Sequence, residues 1–76
     1  MDYYKLKRTV MKQIGNHLER VAEIVADGGK PPKFADFQRK LMLEHGISAK
    51  MIKQMVEVVV PNGTVENDEI VRKDGA

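Results

Sequence analysis

The 76-residue chain contains no cysteine and no tryptophan. Without thiols, a disulfide scaffold, a thiolate zinc site and a cysteine nucleophile are excluded together. Two tyrosines and two phenylalanines are its only aromatic rings, too few for the stacking surface used by single-strand RNA readers. Two histidines, His17 and His45, have no carboxylate or nucleophile at a useful spacing, so neither a metal site nor a catalytic pair is expected. Gly28-Gly29 runs into Pro31-Pro32 and does not make a phosphate loop. Long hydrophobic runs are also missing. Apolar residues make up 42% of the chain but are scattered, so no membrane span is expected. Nothing apolar backs the Met1-Asp2-Tyr3-Tyr4-Lys5 start, and no signal peptide is expected there. These absences describe one small non-enzymatic domain over residues 1–76, cytoplasmic, without cofactor or metal.

Charge of one sign is scarce overall, the net being +2, but it is unevenly placed. Residues 1–53 hold eleven Lys and Arg against six Asp and Glu; residues 54–76 hold two against five. A basic body with an acidic tail attracts a polyanion at one end and repels it at the other. A mixed, solvated surface accounts for the same numbers.

Along the chain, Val10, Met11, Ile14, Leu18, Val21, Ala22 and Val25 recur at steps of three and four, which predicts a helix from Tyr3 to Ala26. Asp2 is its expected N-cap and Gly28-Gly29 its stop. Gly15 inside it costs about 1 kcal/mol relative to alanine and leaves room for a bend or a close helix contact there. Lys30-Pro31-Pro32-Lys33 reads as a stiff connector. Phe34, Phe37 and Leu41 predict a second helix from Phe34 or Ala35 to His45, stopped by Gly46 with Ile47 folding back on it. Ser48 is the expected N-cap of a third helix, whose Ile52, Met55, Val56 and Val59 face inward. Beyond Val56, the run Val58-Val59-Val60 turns β-like and ends at Pro61-Asn62-Gly63. Thr64-Val65-Glu66 and Glu69-Ile70-Val71 flank Asn67-Asp68 as a tight hairpin, and residues 73–76 read as a frayed end.

This order, with the Gly46-Ile47-Ser48 break between two helices, resembles the winged helix-turn-helix superfamily over residues 5–72. Leu41, Ile47, Ile52 and Met55 match the apolar positions that join the two helices of that unit, and Gly46 matches its turn glycine. Met42 and His45 depart from the pattern, standing where a small and an apolar residue are usual. The resemblance implies a mostly α fold with a small β-hairpin wing, and a third helix that enters the major groove of double-stranded DNA. Ser48, Ala49, Lys50, Lys53 and Gln54 are then the recognition residues, since lysine reaches phosphate or guanine and glutamine can bond adenine bidentately.

A second basic cluster, Lys5, Arg8 and Lys12, lies on one face of the first helix, where positive charge opposes the macrodipole. Arg39, Lys40, Lys30 and Lys33 would extend any phosphate footprint it makes; ordinary solvation is the favoured reading of the cluster. The acidic tip, Glu66-Asn67-Asp68-Glu69, argues the other way, because DNA repels it. Either the domain binds DNA through its helices with the wing held off, or it is a protein-interaction module using the hairpin and the N-terminal helix. That helix, about 36 Å long, carries Tyr3, Tyr4 and Leu6 beyond the expected core, and so favours a homodimer.

Overall fold

The computed structural model describes residues 2–61, 63–66 and 69–72. The protein is mostly helical: α1 spans Tyr3–Ala26, α2 Phe34–His45 and α3 Ala49–Val59, followed by the short strands β1, Gly63–Glu66, and β2, Glu69–Arg72. Asn62, the Asn67-Asp68 turn and the expected frayed end at 73–76 lie outside the described residues.

Local chemistry sets the helix ends. The Tyr4 N–H donates to Asp2 Oδ1 at 3.0 Å, satisfying one of the donors that a helix start leaves open. Ser48 does the same for α3, accepting from the Met51 N–H at 3.2 Å. Between these caps, α2 stops at Gly46, whose φ of 65° lies in the left-handed region and whose N–H reaches Met42 O at 2.9 Å. A side chain at that φ costs roughly 1–2 kcal/mol. Ile47 then turns inward and is buried, so three residues suffice to reverse the chain between α2 and α3.

The core is assembled from every helix: Val10 and Ile14 of α1, Phe34 and Leu41 of α2, Ile47 of the link, and Ile52, Met55 and Val56 of α3. Full burial of side chains of this size contributes about 1.5–3 kcal/mol each, and eight of them together outweigh the roughly 0.5–2 kcal/mol of a cap. Caps therefore set the boundaries while burial sets the arrangement. β1 and β2 pair antiparallel, with Val65 opposite Ile70 and Thr64 opposite Val71. Because side chains alternate along a strand, Val65 and Ile70 share a face, and that face packs on the core.

Two expectations are corrected. The run Val58-Val59-Val60 is not extended at its start: α3 continues to Val59, and the Val60 N–H closes the last turn on Val56 O at 2.8 Å. Val59 lies three residues after Val56, continues the inward stripe and packs against the core. Its burial outweighs the β preference of valine, which amounts to only tenths of a kcal/mol per residue. The second correction concerns Gly15. A Cβ built there meets no atom within 4 Å, so a close helix contact is not what requires this glycine, and residues on both sides of it belong to α1. Among the described residues, no helix is long and apolar enough to cross a membrane.

Candidate nucleic-acid interface

The inward stripe of α3 leaves its opposite side to solvent. Lys50, Lys53, Gln54 and Glu57 are all exposed, whereas Ile52, Met55 and Val56 are buried. At 3.6 residues per turn, Lys53, Glu57, Lys50 and Gln54 follow one another around that outer face. Ser48 is exposed just before it, with its Oγ already accepting the cap bond. Ala49 is half-buried. Among the described residues, no side-chain hydrogen bond or ion pair occupies Lys50, Lys53 or Gln54.

The two flanks of α3 meet different neighbours. On one flank Lys53, Val56 and Glu57 border β1 at Gly63 and Val65. On the other, Met51, Gln54, Met55 and Val58 face the start of α1 across a cleft of about 360 Å³, whose far wall is Tyr3, Tyr4, Lys7, Arg8 and Met11. Arg8 and Gln54, read separately from the sequence, therefore line one cleft. Lys7 Nζ lies 5.1 Å from the centre of the Tyr3 ring, within cation–π range.

The remaining basic candidates are dispersed. Lys5 and Lys12 are exposed and fall on the side of α1 opposite Val10, Ile14 and His17. Lys40 lines a different groove, with Gln13, Asn16, Arg20 and Glu23 of α1 and Asp36 of α2. By the helical repeat, this groove and the Arg8 cleft lie on nearly opposite sides of α1. Arg39 is exposed and sits about 100° around α2 from Lys40, away from that groove.

Both histidines have neighbours that sequence reading missed. His17 is buried, stacked on Phe37 with ring centres 4.2 Å apart and edge-on to Phe34 at 5.9 Å. Burial pushes its pKa below the ordinary 6.5, since a charged ring loses solvation there. His45 Nε2 donates to Gln13 Oε1 at 2.8 Å, and Gln13 Nε2 donates to Glu44 Oε1 at 3.3 Å. This network ties the end of α2 to the middle of α1. No group of three His, Asp or Glu suited to a metal occurs among the described residues.

No protein-family model, curated protein or solved structure matches this chain.

Proposed function

We propose that this chain is a non-enzymatic, cytoplasmic winged helix-turn-helix protein that binds double-stranded DNA, as a transcription regulator or architectural factor. In this reading α2, the Gly46-Ile47-Ser48 link and α3 form the helix-turn-helix unit, and β1 with β2 forms the wing. The observation that carries it is the outer face of α3, where Lys50, Lys53 and Gln54 are exposed opposite a buried stripe and begin at a capped helix N-terminus. An α-helix presented in this way fits the width of the major groove. Its first-turn N–H groups and the Ser48 hydroxyl suit a phosphate, and the two lysines and the glutamine suit phosphate and base-edge acceptors. Arg8, across the cleft from Gln54, supplies a flanking phosphate contact.

The test is a titration of the full chain with mixed-sequence duplex DNA, followed by NMR at about 50 mM and then 200 mM salt, the range over which phosphate-driven affinity falls steeply. Amide shifts gathered on residues 48–57 that fade at the higher salt support the reading. A flat titration at low salt overturns it, as does a Lys50→Ala, Lys53→Ala variant with unchanged affinity.

A further inference from the structure

The cleft between the start of α1 and α3 has an apolar interior and a basic rim. Met55 is buried at its base, Met11 and Met51 are half-buried, and Tyr4 and Val58 stand at its lips, 77% and 66% exposed. Three of the large exposed apolar side chains, Tyr3, Tyr4 and Val58, thus gather at one cleft instead of being scattered singly, and methionine suits an interaction site because its thioether adapts to the shape of what it meets.

Charge narrows the occupant. From Tyr3 to Leu18, α1 carries Lys5, Lys7, Arg8 and Lys12 and no carboxylate; its first acid is Glu19. Asp2, the carboxylate nearest the helix start, holds the N-cap bond to the Tyr4 N–H. Glu57 of α3 lies on the other flank, bordering β1.

A second copy fits poorly. Two-fold pairing sets equivalent patches against each other, which would bring two basic rims together. Bare phosphate would satisfy the rim but leave the methionines and Val58 without a partner. A small amphiphile would fill the base, yet lips this exposed would leave much of it in water, whereas ligand pockets bury most of their occupant.

We propose that the α1–α3 cleft docks an acidic amphipathic helix of a partner protein, its apolar side chains seated on Met11, Met51 and Met55 and its flanking carboxylates meeting Lys7 and Arg8. Helix-in-groove recognition uses anchors at i, i+3 or i+4, and i+7, and opposite charge around the groove selects partners and speeds encounter. The site shares Arg8 and Gln54 with the DNA reading but does not rest on it, since it needs no nucleic acid and is tested without any.

The experiment uses the full chain with ¹³C-labelled methionine methyls and no DNA. The probe is a synthetic helical peptide of about 15 residues with leucine at i, i+4 and i+7 and flanking glutamates. Controls are a scrambled peptide of the same composition and a version with lysine for glutamate. Saturable shifts of the Met11, Met51 and Met55 methyls are expected with the acidic helix alone, while Met42 on α2 stays in place. A Lys7→Glu, Arg8→Glu variant is expected to bind about tenfold more weakly or worse, and Val58→Asp, at the exposed lip, also weakens binding. Equal binding of the scrambled or lysine peptide overturns the proposal, as does the absence of any shift. It is equally overturned if decanoate moves the three methyls when the peptide does not, or if they move with protein concentration alone, which identifies a second copy as the occupant.

Discussion

His17 lies parallel to Phe37, the two rings 4.2 Å apart and inclined by only 12°, in the angle between α1 and α2. The imidazole acts there as an aromatic surface, and it does so best when uncharged. Its pKa is lowered by burial from 6.5, so the unfolded chain takes up a proton more readily than the folded one. Stability from this site is complete above about pH 6.5 and is lost as pH falls below that value toward the lowered pKa. Thermal melts between pH 7 and pH 5, above the usual carboxylate range, are expected to show a falling midpoint. In His17→Phe, which keeps a ring but cannot titrate, that slope shrinks. An unchanged slope places the proton uptake elsewhere.

Gly15 and Gly46 both have open space where a side chain would go, yet opposite responses to alanine are expected. At Gly15, inside α1, alanine removes backbone freedom from the unfolded chain and stabilises by up to about 1 kcal/mol. At Gly46, with φ at 65°, alanine costs roughly 1–2 kcal/mol. Calorimetry on the two variants reads this directly, because 1 kcal/mol moves the midpoint of a domain this size by about 4–8 °C.

Gly63 is constrained by contact. A Cβ there would sit 2.7 Å from Val60 O and 2.9 Å from Val60 Cβ. That carbonyl already accepts the Gly63 N–H at 2.7 Å, so it cannot withdraw without losing the bond. Gly63→Ala is expected to destabilise by about 1–3 kcal/mol. Amide exchange will show the loss concentrated in β1 and β2, with α1 and α2 protected nearly as before.

The two grooves flanking α1 divide the basic residues into groups with different expected effects. Arg8 shares its cleft with Gln54 of α3, whereas Lys40 lines the groove between α1 and α2. If α3 is the DNA-facing helix, Arg8→Ala weakens duplex binding and flattens the dependence of log K on log salt by about one unit, as loss of one phosphate contact does. Lys40→Ala leaves both unchanged. Affinity measured across a salt series separates the two variants; equal effects would mean that DNA reaches both sides of α1.

What could be read from the sequence was local. Asp2, Gly46 and Ser48 act on neighbours two to four residues away, so residue type and spacing reveal them. The inward stripes of the helices are legible for the same reason. Val59 was legible as part of the inward stripe, whereas Val58 was misleading, because its β preference disagrees with the helix that the packing of Val59 extends. His17 was harder still: its position at the edge of the stripe says nothing about Phe34 and Phe37, which reach it only once α2 has packed. Gln13 and His45 meet across 32 positions, a separation at which no periodicity carries a signal. The Arg8–Gln54 cleft is hidden likewise, since it depends on how α3 crosses α1.

The two links between helices differ in how much change they can absorb. The α2–α3 link is three residues long, places Ile47 in the core and ends in a cap, so an added residue there would displace a core side chain. Between α1 and α2, Asp27 to Lys33 runs along the surface, exposed except for a half-buried Pro31, and contributes nothing to the core cluster. Lengthening such a segment is cheap, because closure entropy grows only with the logarithm of loop size. The domain thus has one joint open to evolutionary tinkering and one that is closed to it. An epitope, a fluorophore site or a second module grafted at Lys30, beyond the bonds by which Gly28 and Gly29 close the end of α1, can be carried there without moving α3 relative to α1, the one spatial relation on which both proposed binding surfaces depend.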